Sequence, residues 1–147
     1  MKFYYKNFVK WQGDKKGLLS SHGKHNFEIA TPPEFNGHAG YWSPEDLLVA
    51  SVNSCIMTTF LHFAQRKGLD FLSYESHAEG ALERVENKFM ISKITIKPSI
   101  IIKEESGIKK AESIMRLSEK SCLISNSIKS EIEVIPEIQY NKTYENK

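Results

Sequence analysis

The sequence predicts an α+β fold, in which separate groups of strands and helices pack around one core. Strand-like segments come first, followed by a long uncharged helix, a hairpin, a second helix and a last strand. No strand–helix unit repeats along the chain, and this argues against a doubly wound α/β arrangement. The length of 147 residues fits one domain with a sizeable core. We therefore expect a single domain over residues 1–147, with a frayed polar tail over about residues 142–147.

Strand candidates fill the N-terminal third of the chain. An aromatic-rich run at residues 3–11 predicts a first strand, which ends in a glycine-containing turn at residues 13–17. Residues 18–21 and 27–30 are two further short strand candidates. The segment at residues 31–42 contains two prolines and two glycines, and this composition predicts an irregular loop that borders a site.

The strongest local signal is a helix start at Ser43. Serine suits the capping position, Pro44 suits the first helical position, and two acidic residues follow where the helix dipole favours them. The helix is expected to end near Lys67, because Gly68 follows. Its uncharged stretch, residues 47–65, is about long enough to span a bilayer. Seven polar residues within that stretch favour instead a helix buried on most sides of a soluble protein.

The C-terminal half predicts a hairpin followed by a helix. The hairpin strands span residues 73–85 and 89–103 around a tight turn, and Pro98 indicates an edge strand or a bulge. Apolar residues at helical spacing predict an amphipathic helix over residues 108–121. A short turn or helix then leads to a last strand at residues 132–135.

Charge and composition argue against several classes of function. The 20 basic and 18 acidic residues leave a formal net charge of +2, which indicates neither a nucleic-acid partner nor an anionic membrane surface. The first residues lack the apolar core of a secretory signal, so we expect a cytoplasmic protein. No cysteine and histidine side chains are spaced as zinc ligands, so we expect no metal.

The chain has two cysteines, Cys55 within the long helix and Cys122 where the second helix ends, 67 positions apart. A permanent structural disulfide is uncommon in a reducing compartment, so a catalytic or redox-cycling pair is one interpretation. The other interpretation is that both thiols are buried and inert, because free cysteine is among the most buried residue types. Composition alone leaves both interpretations open.

Three segments resemble the OsmC/Ohr family, which comprises osmotically induced protein C and the organic hydroperoxide resistance proteins. The segment SPEDLLVASVNSC at residues 43–55 resembles the family's PE-L-x-A-A-x-x-x-C helix. The segment SCLISNSI at residues 121–128 resembles its C-P-x-S-N motif, and WQGD at residues 11–14 resembles the opening of its OsmC branch. With the matching order of strands and helices, the resemblance covers about residues 3–140.

The resemblance implies antiparallel sheets wrapped around a long buried central helix, in an intertwined homodimer. It also implies a thiol-dependent peroxidase, in which Cys55 attacks an organic hydroperoxide and becomes a sulfenic acid, and Cys122 condenses with it to a disulfide. An external dithiol, such as a lipoylated or thioredoxin-like protein, then reduces the disulfide, so no bound cofactor is needed. The partners implied are a second copy of the chain, the hydroperoxide and the reductant.

The sequence departs from the family at the group that activates Cys55. Peroxide is attacked by a thiolate, and an unperturbed cysteine with a pKa of about 8.5 is mostly protonated at neutral pH. Cys55 lies too deep in its helix for the helix dipole to lower this pKa much. In the family an arginine does so, held by the glutamate that matches Glu45, but none of residues 1–65 is an arginine. Lys15 or Lys16 could place a positive charge near the thiolate instead.

The missing arginine motivates a second hypothesis, a redox-sensing or small-apolar-ligand-binding relative with little peroxidase turnover. Glu45 also has a simpler interpretation, as an acidic residue favoured in the first helical turn. An apolar pocket for the organic part of a substrate could be lined by side chains in and after the loop. The candidates are His38, Phe35, Trp42 and Phe60, although core packing explains the aromatic residues equally well.

Overall fold

The computed structural model describes residues 1–142, which belong to two compact units. The first unit runs from Met1 to Leu48, and the second begins at Val49. Each unit has its own sheet. The predicted frayed tail lies outside the described residues except for residue 142. That the whole chain is one domain stays a prediction.

The N-terminal unit is built on a three-stranded antiparallel sheet. Its strands, in spatial order, are β1 (Phe8–Trp11), β2 (Lys16–Ser20) and β3 (Phe27–Ala30). The predicted first strand is too long, because β2 does not extend far enough to pair with residues 3–7. The predicted loop at residues 31–42 is confirmed. It contains a 3-10 turn at Pro33–Phe35, and Trp42 returns to pair with Ile29 of β3.

The long helix α1 (Pro44–Lys67) begins and ends where the sequence predicts. Ser43 and Asp46 cap it reciprocally. Ser43 Oγ accepts the Asp46 N–H at 3.1 Å, and Asp46 Oδ2 accepts the Ser43 N–H at 2.9 Å. This arrangement satisfies backbone donors that a helix start would otherwise leave free. At the other end Gly68 adopts a left-handed φ of 65°, which stops the helix.

Within the single chain, α1 is buried along one stripe. The stripe consists of Val52, Ile56, Phe60 and Ala64, spaced four residues apart. The rest of the helix surface is half-buried or exposed, for example at Leu61. The prediction of burial on most sides is therefore not met within one chain, which covers only one face of the helix. By length and composition alone the helix could cross a bilayer, a test that core helices of soluble proteins also pass.

The second unit contains the predicted long hairpin. Its antiparallel strands are β4 (Phe71–Val85) and β5 (Lys88–Ile102). Glu86 and Asn87, in the turn between them, have φ values of 49° and 67°. A two-residue turn with positive φ at both positions matches the right-handed twist of the paired strands, which explains how this hairpin closes so tightly.

β5 is the central strand of a mixed sheet, because β6 (Glu131–Val134) and β7 (Glu137–Tyr140) both pair with it in parallel. The sequence prediction missed β7, because it placed the last strand at residues 132–135. The prediction of an edge strand or bulge at Pro98 is wrong. Pro98 lies between residues 93–96, which pair with β6, and residues 99–102, which pair with β7. A proline is tolerated in this central strand because neither short strand pairs with it.

The second helix, α2 (Ile108–Ser121), confirms the predicted amphipathic helix. Its buried face consists of Ala111, Ile114, Met115 and Ser118. The backbone becomes extended at Cys122, with φ −66° and ψ 113°. A 3-10 turn at Ser125–Ser127 follows, and Cys122 therefore lies at the junction between the helix and this turn.

Candidate active site

Two free thiols meet in the second unit, one from α1 and one from the end of α2. Cys55 lies on α1 and is half-buried, whereas Cys122 follows α2 and is completely buried. The two thiols are neighbours, and hydrogen bonding by Cys122 lowers the pKa of Cys55. Two residues 67 positions apart along the chain are therefore in contact. Such proximity is needed for a thiol pair to form a disulfide.

Helical spacing explains why the two side chains reach the same place. Cys55 directly precedes Ile56 of the buried stripe on α1, and it therefore lies at the edge of that stripe. Cys122 lies four residues after Ser118, the last buried residue of α2, and continues the buried face of that helix. As a result α1 provides a partly exposed sulfur and the end of α2 an enclosed one.

The backbone of the turn after α2 interacts with both thiols. Hydrogen bonding by the backbones of Ile124 and Leu123 lowers the pKa of Cys55. The amide of Ser125 donates to Cys122 Sγ at 3.4 Å. The turn after α2 thus borders both thiols. Clustered amides of this kind stabilise negative charge without a charged side chain.

Thr59 is a further neighbour of the nucleophile candidate. Its Oγ1 atom lies 4.0 Å from Cys55 Sγ, one helical turn along α1. Sequence reasoning missed both Thr59 and the amides. The spacing of four residues between Cys55 and Thr59 is a signal that could have revealed the hydroxyl. The amides have no such signal, because every residue except proline carries one.

The surroundings change the pKa of the two thiols in opposite directions. Burial raises the pKa of Cys55, but hydrogen bonds outweigh it, first that from the Cys122 thiol and next that from the Ile124 amide, so the net pKa is lowered. Burial raises the pKa of Cys122, and contacts with Ser125 do not reverse this effect because the Cys55 sulfur opposes them. Cys55 is therefore the thiol that ionises first.

Lys15 and Lys16 both have partners inside the N-terminal unit. Lys15 Nζ donates to the carbonyl oxygens of Phe35 at 3.2 Å and Asn36 at 3.0 Å. Lys16 Nζ lies 5.4 Å from the centroid of the Tyr41 ring, a cation–π contact. Both ammonium groups thus help to hold the loop that follows β3. Their role in activating the thiolate stays a prediction.

His38 and Glu45 also lie in the N-terminal unit. His38 Nε2 is 2.8 Å from Asp14 Oδ2, and the imidazole ring meets the Tyr41 ring edge-on at 6.2 Å between centroids. Glu45 lies in the first turn of α1, and its Oε2 atom is buried without a hydrogen-bond partner among residues 1–142. A buried unpaired carboxylate oxygen is unfavourable, so Glu45 is a position where a further donor would bind.

The aromatic pocket candidates differ in exposure. Phe35 and Trp42, in the N-terminal unit, are both exposed, Trp42 at 54%. Phe60, in the second unit, is completely buried, with its ring centroid 5.5 Å from that of Phe71 and 5.2 Å from that of Tyr74. Its predicted place in a substrate pocket is therefore corrected to core packing, because no part of its ring remains accessible to a ligand.

An open cavity of about 390 Å³ lies in the N-terminal unit. Lys15 and Lys16 line it together with apolar side chains that include Val9, Trp11 and Ile29. Its size is in the range of small-molecule pockets, and sequence reasoning did not single out Trp11 as a lining residue. Within residues 1–142, no three His, Cys, Asp or Glu side chains are grouped as ligands of a metal ion.

The fold and the paired thiols define an α+β protein with a dithiol site. The sequence profile of the OsmC-like proteins matches residues 37–137, more than half of the chain, and the protein therefore belongs to the OsmC-like family. The resemblance noted in the sequence is thus confirmed. The uncharacterized protein YmaD of Bacillus subtilis (strain 168) is 26% identical over 137 residues, which cover 90% of this chain and 89% of YmaD.

Solved structures show the same fold. An OsmC-like protein of unknown function from Vibrio cholerae superposes with a TM-score of 0.84 at 20% identity, covering 92% of this chain and 99% of that one. An organic hydroperoxide resistance protein from Elizabethkingia anophelis, with thiocyanate bound, superposes with a TM-score of 0.73 at 22% identity, covering 96% and 100%. The α+β architecture is that of the OsmC/Ohr proteins.

Proposed function

We propose that this protein is a thiol-dependent peroxidase that reduces organic hydroperoxides. The observation that carries the proposal is that the free thiols of Cys55, on α1, and Cys122, at the end of α2, are neighbours. A two-cysteine peroxidase needs one thiol that ionises readily and is open to a substrate, and a second thiol within reach of it. Cys55 is the lower-pKa and more exposed member of the pair, and Cys122 is the enclosed member.

The reaction balances with the two thiols and one hydroperoxide. The Cys55 thiolate attacks an oxygen of ROOH, so that an S–O bond forms and the O–O bond breaks. The alkoxide takes a proton and leaves as the alcohol, and Cys55 becomes a sulfenic acid. The Cys122 sulfur then attacks the Cys55 sulfur. The S–S bond forms, and the sulfenic hydroxyl leaves with the thiol proton as water.

An external dithiol completes the cycle. It reduces the Cys55–Cys122 disulfide by two electrons and becomes a disulfide itself, so the reaction needs no bound cofactor. Lipoylated or thioredoxin-like proteins are reductants of the required chemistry. The organic hydroperoxide as substrate is supported by relatives of the same fold that are named organic hydroperoxide resistance proteins, from Elizabethkingia anophelis, Legionella pneumophila and Vibrio cholerae.

We propose further that the protein works as a cytoplasmic homodimer. Large apolar side chains remain exposed on the single chain, and a second copy would remove them from water. They include Phe8, Trp11, Trp42, Leu61 and Leu82. Sedimentation of the full chain measures its oligomeric state, and a monomer at micromolar concentration would contradict this part of the proposal.

Redox sensing, or binding of a small apolar ligand, is the second candidate function. It is favoured by the absence of arginine from residues 1–65 and by the Glu45 oxygen that lacks a partner within residues 1–142. A thiolate stabilised by neutral donors alone could react with peroxide once, without fast turnover. Slow oxidation of Cys55, together with tight binding of an apolar ligand, would favour this candidate over the peroxidase.

Peroxide consumption by the full chain tests the proposal. We expect turnover of cumene hydroperoxide with dihydrolipoamide or dithiothreitol, and loss of two titratable thiols when the reductant is left out. Cys55→Ser should abolish turnover, whereas Cys122→Ser should retain one oxidation and leave a sulfenic acid that dimedone captures. The assignment is wrong if Cys55→Ser consumes peroxide as fast as the parent. Hydrogen peroxide and fatty-acid hydroperoxides, compared in the same assay, define the substrate class.

A further inference from the structure

We propose that the Ser125 backbone N–H is a catalytic donor for the reductive half of the cycle. It stabilises Cys122 as the leaving thiolate when an external dithiol reduces the Cys55–Cys122 disulfide. The N–H donates to Cys122 Sγ at 3.4 Å, so it already contacts one of the two reacting sulfurs. The inference rests on the proposed peroxidase function, which forms the disulfide in each turnover.

Exposure decides which sulfur the dithiol attacks. Cys122 is completely buried, whereas Cys55 is only half-buried. The sulfur that is attacked in thiol–disulfide exchange depends on access, so a dithiol from solvent reaches Cys55. Cys122 is then the sulfur that leaves.

The exchange balances in two steps. A thiolate of the dithiol forms an S–S bond with Cys55, while the Cys55–Cys122 bond breaks and leaves its electron pair on Cys122. The Cys122 thiolate takes a proton from water. The second thiolate of the reductant then attacks the reductant sulfur in the mixed disulfide and releases Cys55. The reductant loses two electrons, and the protein disulfide gains them.

Cys122 is a poor leaving group unless a donor assists it. A thiol leaves faster when its thiolate is more stable, and a buried anion lacks the hydrogen bonds that water would supply. Burial accordingly raises the pKa of Cys122. The Ser125 N–H replaces part of the lost hydration at the sulfur on which the charge develops.

The turn holds this donor in place before the reaction. The Asn126 N–H donates to Cys122 O at 3.1 Å, and the Ser127 N–H donates to Ile124 O at 3.0 Å. These two bonds close the backbone on both sides of Ser125. A donor fixed in this way needs no reorganisation when negative charge appears on the sulfur.

An ester bond at position 125 removes the N–H alone. Residues 1–121 are ligated to a synthetic peptide of residues 122–147, whose first residue is Cys122. One peptide carries lactic acid at 125, and its matched control is Ser125→Ala, which has the same methyl side chain and keeps the N–H. A second control carries glyceric acid at 127, which removes the Ser127 N–H bound to Ile124 O and so loosens the turn without touching sulfur.

The rate of disulfide reduction by dithiothreitol is the measurement. Diamide forms the Cys55–Cys122 disulfide chemically, so the assay does not depend on peroxide turnover. We expect the ester at 125 to be reduced about three- to tenfold more slowly than Ser125→Ala, since one hydrogen bond to the leaving thiolate is lost. The ester at 127 should be reduced at close to the rate of the ligated parent. Alkylation of Cys55 by iodoacetamide should change by less than about twofold in both esters, because Cys122 gains no charge in that reaction.

A second measurement needs no variant. Brief reaction of the diamide-oxidised parent with 2-mercaptoethanol, followed by acid quenching and mass spectrometry, locates the first mixed disulfide. We expect the adduct on Cys55, and an adduct on Cys122 would overturn the inference. This result decides the question if circular dichroism shows that the ester at 125 is misfolded.

Equal reduction rates of the ester at 125 and Ser125→Ala, equal slowing by the ester at 127, or failure of diamide to join the two cysteines would also overturn the inference. Peroxide turnover is measured separately on the parent. A parent without turnover, whose disulfide is reduced slowly only in the ester at 125, would contradict the peroxidase proposal and leave the donor assignment standing. A parent with turnover whose disulfide reduction ignores the Ser125 N–H would do the reverse.

Discussion

Cys55 and Cys122 are neighbours, and hydrogen bonding between their thiols lowers the pKa of Cys55 and raises that of Cys122. The thiol that ionises first is half-exposed, and the one that keeps its proton is completely buried. A substrate arriving from solvent would therefore meet the reactive sulfur first. The enclosed sulfur is its neighbour.

Removing the Cys122 donor should make Cys55 harder to ionise. Cys122→Ala deletes the hydrogen bond that lowers the pKa of Cys55 most, against the opposing effect of burial. The pKa then rises, so that alkylation reaches half its maximal rate at higher pH and slows about two- to tenfold at neutral pH. Cys122→Ser retains a hydroxyl donor and serves as the control. An unchanged pH profile in Cys122→Ala would contradict the contact between the thiols.

Thr59→Val should slow the reactions of Cys55, because it replaces a hydroxyl 4.0 Å from the sulfur by a methyl group of similar size. We expect alkylation and peroxide consumption to slow together, by about two- to fourfold. Thr58→Val is a matched control, since the Thr58 hydroxyl donates to the Cys55 carbonyl oxygen at 3.1 Å. If both variants slow the reactions equally, the effect comes from the helix and the role of Thr59 is disproved.

Gly80→Ala should destabilise the second unit. A Cβ atom at Gly80 of β4 would lie 2.5 Å from Val49 Cγ2 on α1 and 3.3 Å from Ile91 Cγ2 on β5. Valine has little rotamer freedom to move aside, so we expect the free energy of unfolding to fall by about 1–3 kcal/mol in denaturant titrations. In a Val49→Ala background the cost should shrink. An equal cost in both backgrounds would show that the close approach of α1 to β4 is not the cause.

The first and last residues of both helices could be predicted, because the residues that start and stop a helix lie within a few positions of its ends. The start of α1 depends on Ser43 and Asp46, three residues apart, and its end depends on Gly68. The place of Pro98 was not predictable in this way. Whether a strand is central or at an edge depends on β6 and β7, which come more than thirty residues later in the chain.

The residues of the candidate site also differ in whether the sequence could predict them. Cys55 and Cys122 could be chosen as a pair from their motifs, whereas the Leu123 and Ile124 amides could not, since they acquire a role only when the turn after α2 meets α1. The prediction that Phe60 lines a substrate pocket was wrong. An aromatic ring fits a pocket or a core equally well until its neighbours, here Phe71 and Tyr74, are known.

The sequence by itself determined where the helices begin and end and which two residues carry the thiols, because caps, terminating glycines and short motifs act within a few residues. Only the tertiary structure decided which sulfur is exposed, which donors reach it and which thiol keeps its proton. Those properties arise from contacts between α1 and a turn 67 positions away, and burial and hydrogen bonding at that distance leave no local pattern in the chain.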